Sequence, residues 1–165
     1  MSELRTNRIV PRDGLVSGAS GGVIQVVFFS LATGSTVTVN GTPLVDVLTA
    51  TITPTRSDSK ILVQVTSAPK TNGGSANFQF GAQIQRNSTT IMYDNEYLQM
   101  NNGYAPNAFT GAYTVLDSPA STSALTYKFR CSRSVSGREL YFENSTDNTG
   151  NYYNKHTMTL MEISG

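Results

Sequence analysis

Cys131 and His156 are the residues of this chain whose chemistry is most readily put to work. A thiol and an imidazole brought together in space make a nucleophile and its base. The chain holds one cysteine and one histidine, so only one such pairing is open to it. The neighbouring residues argue against it. Cys131 ends the alternating run Leu125-Thr-Tyr-Lys-Phe-Arg-Cys131, on the face shared with Leu125, Tyr127 and Phe129, where a small buried thiol is the simpler expectation. His156 follows Lys155 at the head of the last apolar run and is expected at the surface or in loop packing rather than as a base.

Other constellations are equally thin. Eleven acidic residues are scattered along the chain; Asp94 and Glu96 form the closest pair that glycoside cleavage could use, but they sit in an expected loop. Asp147 lies in the amide-rich stretch Asn144-Ser-Thr-Asp-Asn-Thr-Gly150 without the acidic companions of a calcium loop. The glycine-rich Ser17-Gly-Ala-Ser-Gly-Gly22 has no lysine and precedes a strand-like run, unlike a phosphate-binding loop. The expectation is a chain with no catalytic residues, no metal and no cofactor, and not an enzyme.

Residues suited to binding are easier to find. Tyr93, Tyr97, Tyr104, Tyr113, Tyr152 and Tyr153 fall in or near expected loops and strand ends, where rings stack on sugars or pack at subunit contacts. Tyr97, Tyr104, Tyr152 and Tyr153 are the candidate ligand or interface residues. The first thirteen residues carry Arg5, Arg8 and Arg12 around Ile9-Val10-Pro11. With too few apolar side chains to fold alone, they read as an extended arm on a Gly/Ser neck. Arg5, Arg8, Ile9, Val10, Pro11 and Arg12 are the candidate partner-binding residues: guanidinium groups pair with carboxylates and the apolar triplet adds a strand to a sheet edge, on another protein or, equally open, on a neighbouring copy of this chain.

The elements that must position these residues are strands. Val23 to Leu31, Val45 to Thr53, Lys60 to Thr66, Asn77 to Arg86, Ile91 to Tyr93, Ala108 to Leu116, Ala124 to Arg133, Arg138 to Glu143 and Thr157 to Ile163 are rich in β-branched and aromatic residues or alternate at period two. Phe78, Phe80, Ala82 and Ile84 share one face, and Gln79, Gln83 and Gln85 the other. Asn87-Ser-Thr-Thr90 is expected to turn that strand back into Ile91-Met-Tyr93 as a hairpin. Leu48, Ala50 and Ile52 are expected inward, as are Ile61, Val63 and Val65. Only Asn95 to Met100 has the makings of a helical turn. The pattern predicts an all-β, antiparallel β-sandwich, jelly-roll-like, over 23–165, with residues 1–22 as the extended N-terminal arm and neck.

Composition agrees. At 165 residues the chain fits one domain, with a net charge of +1 and only 14% charged residues; Ser, Thr and Asn supply nearly a third of it. Such balance leaves no concentrated basic face for nucleic acid. One cysteine allows no internal disulfide. No apolar run approaches the roughly 20 residues of a membrane span, and the opening residues lack the apolar region of a signal peptide. The expectation is a soluble chain made in a reducing cytosol, with no nucleic acid or membrane partner. The sequons at Asn40, Asn87 and Asn144 are what so much Ser, Thr and Asn produces by chance.

Three short segments carry a resemblance. Ser2-Glu-Leu-Arg-Thr-Asn-Arg-Ile-Val-Pro-Arg-Asp-Gly14, Thr51-Ile-Thr-Pro-Thr-Arg-Ser-Asp-Ser-Lys-Ile-Leu-Val63 and Thr159-Leu-Met-Glu-Ile163, with Leu125-Thr-Tyr127 between the last two, resemble segments of virion structural and tail-fibre-like proteins of tailed phages, notably those of cyanobacteria and other marine bacteria. The resemblance implies a component of a phage particle, made in the host cytoplasm and located in the virion, with no catalytic residues to carry over. One domain and an arm, without a shaft or second module, favour a capsid cement or decoration protein that attaches to coat or tail proteins as a homotrimer. The alternative is a tail-fibre or receptor-binding protein whose tyrosines contact a host glycan.

Overall fold

The computed structural model describes residues 22–71, 80–94, 110–133, 139–144 and 156–165. Those residues contain eleven strands and no helix: β1 (Val23–Ser30), β2 (Thr36–Val39), β3 (Val45–Ile52), β4 (Lys60–Ser67), β5 (Lys70–Thr71), β6 (Phe80–Arg86), β7 (Thr89–Asp94), β8 (Gly111–Asp117), β9 (Leu125–Arg133), β10 (Leu140–Glu143) and β11 (Thr157–Ile163). The arm and the possible turn at Asn95 to Met100 lie outside the described residues.

All pairings are antiparallel, in three sheets ordered β1-β11-β4-β8, β2-β10-β5 and β3-β9-β6-β7. Within this order the pairs are nested along the chain. β1 with β11 is outermost, β2 with β10 and β3 with β9 come next, then β4 with β8, and the β6–β7 hairpin is innermost. A chain doubled back on itself in this way and then rolled, so that β11 meets β4 and β9 meets β6, is a jelly roll. The expected all-β sandwich is therefore the fold observed. The strands of the three-stranded sheet follow or precede strands of both larger sheets in the same order: β2 lies between β1 and β3, β10 between β9 and β11, and β5 between β4 and β6.

Alternation decides which side chains meet between the sheets, since successive residues of a strand point to opposite faces. Ile61, Val63 and Val65 of β4 and Met158 and Leu160 of β11 face inward from one sheet; Leu48, Ala50 and Ile52 of β3 and Leu125, Tyr127, Phe129 and Cys131 of β9 face them from the other. Tyr113 of β8 and Phe129 of β9 join the two layers, ring centroids 5.4 Å apart. Phe80, Ala82 and Ile84 are buried as their spacing predicts.

Two short strands lie outside the expected ones, although Thr36-Val-Thr-Val39 does alternate at period two. β2 offers only Val37 and Val39, and β5 is two residues long; each is held by β10. The β6–β7 hairpin turns at Asn87-Ser88, with Asn87 at φ 51°. Asparagine tolerates this left-handed backbone better than other non-glycine residues. Its backbone N–H also donates to the Thr126 carbonyl at 2.7 Å, and its Oδ1 accepts from Thr126 N at 3.0 Å. The turn is thereby fastened to the head of β9.

Candidate functional site

The chemistry-bearing pair does not come together. Cys131 is fully buried in β9, and burial pushes its thiol well above the ordinary range, as an inert core residue requires. His156 precedes β11 in the other sheet and is also fully buried, so of the two expected places, surface or loop packing, it takes the second. Its Nδ1 accepts from Ser67 Oγ at 2.9 Å and from the Ala68 N–H at 3.3 Å, while Nε2 lies 3.2 Å from the Glu143 carbonyl. A backbone N–H can only donate, so Nδ1 is the bare nitrogen and Nε2–H the donor. The ring packs edge-on against Phe142, and burial lowers its pKa below the ordinary value. This is a neutral histidine tying β4 and β10 to β11.

Asp94 ends β7, while Glu96 and Asp147 lie outside the described residues. Among the described residues no three His, Cys, Asp or Glu side chains gather as metal ligands. Arg5, Arg8, Ile9, Val10, Pro11 and Arg12, and Tyr97, Tyr104, Tyr152 and Tyr153, all lie outside the described residues. Tyr113 is not at a strand end. It sits inside β8 with its ring on the core, because alternation turns it inward with Val115.

Two buried acids have structural partners. Glu162 is fully buried on β11 and accepts from Gln25 Nε2 at 2.6 Å and from Thr55 N and Oγ1, each at 2.8 Å. Burial alone would raise its pKa, but the Ser59 hydroxyl first, and then Gln25 and Thr55, outweigh it and hold the carboxyl below the ordinary range. Asp117 of β8 accepts from Arg86 Nη1 at 2.7 and 2.6 Å and from Tyr127 Oη at 2.7 Å, closing one end of the sandwich across β6, β8 and β9.

The outward face of the second four-stranded sheet is polar and satisfied from within. Asp46 accepts from Lys128 Nζ and Arg130 Nε, both at 2.6 Å. Arg130 reaches on to Gln83, Gln85 and the Leu44 carbonyl, and Gln83 donates to Thr90 Oγ1 at 2.9 Å. Desolvation of Asp46 is outweighed by its two cationic neighbours, and its pKa is lowered.

The outward face of the first sheet is different. Val26 of β1 pairs with Met161 of β11, Met161 with Leu62 of β4, and Leu62 with Leu116 of β8. Directly opposed residues on neighbouring strands share a face, so these four form a straight apolar row across the whole sheet. Val26 and Leu116 at its ends are 56% and 51% exposed, and Phe28, two positions along β1, is 64% exposed. Among the described residues, Lys60 is the only charge on the outward positions of these four strands. A core-grade set of side chains left on the surface is the clearest sign here of an interaction site. It escapes the sequence because Val23-Ile-Gln-Val-Val-Phe-Phe is apolar on both faces and the row depends on the pairing register.

No protein-family model matches the chain, and no curated protein matches it at a significant level.

Proposed function

We propose that this chain is a structural component of a tailed-phage virion, a capsid cement or decoration protein that attaches to the particle as a homotrimer, with its N-terminal arm gripping the coat. The observation that carries an assembly role is the apolar row Val26–Met161–Leu62–Leu116 on a sheet face whose only charge, among the described residues, is Lys60. A sheet displayed in this way gains by being covered with protein and supplies no group that reacts. The choice of particle rests on the resemblance of the Ser2 to Gly14, Thr51 to Val63 and Thr159 to Ile163 segments to phage structural proteins. In this reading Arg5, Arg8 and Arg12 pair with coat carboxylates and Ile9-Val10-Pro11 adds an edge strand.

The test is occupancy on particles. Full-length chain and a form lacking residues 1–14 are added to particles stripped of the protein, and bound copies are counted and located by electron microscopy. The expected result is binding on the head by the full chain and its loss on deletion. Unaltered occupancy without the arm removes the arm from the mechanism. Density confined to the tail replaces the cement role with receptor binding through Tyr97, Tyr104, Tyr152 and Tyr153.

A further inference from the structure

We infer that the outward face of the β1-β11-β4-β8 sheet is where copies of this chain pack on one another, row against row. The inference deepens the oligomer part of the reading above and depends on that part alone.

Three features select a second copy as the occupant. The first is charge. With Lys60 as its only charge among the described residues, the face has no ionic means of recognising an acidic or basic partner. It fits a surface as neutral as itself, and another copy presents one. The opposite sheet cannot serve, because Asp46, Lys128 and Arg130 occupy its face with each other.

The second is self-complementarity. Read from either end, the row places a large apolar side chain at every strand: Val26, Met161, Leu62, Leu116. Around a three-fold axis the β1 edge of each copy meets the β8 edge of the next, so Val26 lies against Leu116 while Met161 and Leu62 of the three copies converge on the axis, and no polar group is trapped at the centre. The adjoining row Phe28–Thr159–Gln64–Thr114 is neutral and supplies a hydrogen-bonding rim.

The third is size. Four strands about 4.8 Å apart make a face about 19 Å wide, and seven residues at about 3.3 Å make it about 23 Å long. Its flat footprint is then about 440 Å² per copy, over half of the roughly 800 Å² that each partner gives to a standard interface, before side-chain relief adds to it. Three such faces turned to a common axis enclose a prism of inner radius about 5.5 Å, close to half the roughly 10 Å at which sheets pack face to face. The proposed trimer therefore accommodates the row without leaving a void.

Sedimentation equilibrium of the isolated full chain tests this without any particle. Leu62 stands at the middle of the row and points away from the core, so L62E places a charge at the contact. F28T removes the most exposed apolar group, and T49E puts the same new charge on the outward face of the opposite sheet. The wild type and T49E are expected to associate in the micromolar range. L62E and F28T are expected to shift association to at least about tenfold higher concentration. Cys131 shielded from thiol reagents in each variant shows that the fold is intact; should L62E not fold, F28T alone decides. A monomeric wild type overturns the inference, and so does association unchanged in both face variants. The form lacking residues 1–14 is expected to associate as the wild type does, so loss of particle binding on arm deletion and loss of self-association on face substitution are separate failures.

Discussion

Ser67 Oγ and His156 Nδ1 lie 2.9 Å apart in a fully buried contact that joins the end of β4 to the start of β11. With the Ala68 N–H also donating to Nδ1, a proton on that nitrogen would face two donors, one of which cannot reverse. His156 is thus held neutral, with its pKa lowered from 6.5 by burial. The unfolded chain takes up this proton before the folded one does, so stability rises with pH through this window. It is complete above about 6.5 and is lost as pH falls from there toward the lowered folded value. This is the only histidine, which makes the assignment clean. Thermal midpoints measured across pH 5 to 8 are expected to fall on the acid side in the wild type. His156→Gln keeps an acceptor and a donor but does not titrate; it is expected to be less stable at neutral pH and flat over the same range. An equal acid slope in the variant would show that the proton goes elsewhere.

Glu162 predicts a second, separate acid transition. Its carboxyl is held below 4.5 by the Ser59 hydroxyl and by hydrogen bonds from Gln25 and Thr55, which together outweigh the cost of burial. A depressed carboxylate stabilises the fold above its unfolded pKa, and that contribution disappears as pH falls through the folded pKa. Glu162→Gln is expected to cost about 1–3 kcal/mol at neutral pH, the penalty for leaving buried donors poorly matched. The gap from wild type is expected to narrow below pH 4.5, where the native carboxyl also takes a proton. Urea titrations at neutral and acid pH measure both limits. A gap independent of pH would mean that shape, not charge, holds the Thr55 loop.

How much of this was visible beforehand follows from the range of each interaction. The inward faces of β4, β6, β9 and β11 are written in local alternation, and Ile61 to Val65 or Leu125 to Cys131 need no partner to declare themselves. The same period places Glu162 inward beside Met158 and Leu160, so an acid in core register was a readable signal of a buried carboxylate. Its partner Gln25 was not, being 137 residues away. β5 is two residues long and is held only by β10; β2 was legible, since Thr36-Val-Thr-Val39 alternates with β-branched residues, but it is only one short run of four. Beside Lys155, His156 read as a surface or loop-packing residue; the meeting of β4, β10 and β11 is what encloses it. The apolar row is the extreme case, since its four members lie on strands brought together by rolling the chain, and no window of sequence contains them.

Asp117 and Tyr127 provide the last prediction, because little solvent reaches the network that links them: Tyr127 is enclosed and Asp117 nearly so, with Arg86 partly exposed beside them. Tyr127 is fully buried, and its Oη donates to Asp117 Oδ2 at 2.7 Å beside the Arg86 guanidinium. Burial, and then the neighbouring carboxylate, push the phenol far above its ordinary pKa, so the hydroxyl remains a donor at every pH the protein meets. Removing the donor leaves Asp117 still paired with Arg86; Tyr127→Phe is expected to cost about 1–2 kcal/mol. Removing the acid strands both a cation and a hydroxyl, and Asp117→Asn is expected to cost about 3–5 kcal/mol. The double variant is expected to cost less than the two single changes added together, because residues sharing one network are not independent. Urea unfolding of the four proteins in the cycle gives the coupling directly. Simple additivity would mean that Tyr127 and Asp117 stabilise the sandwich end separately, with Arg86 alone neutralising the buried charge.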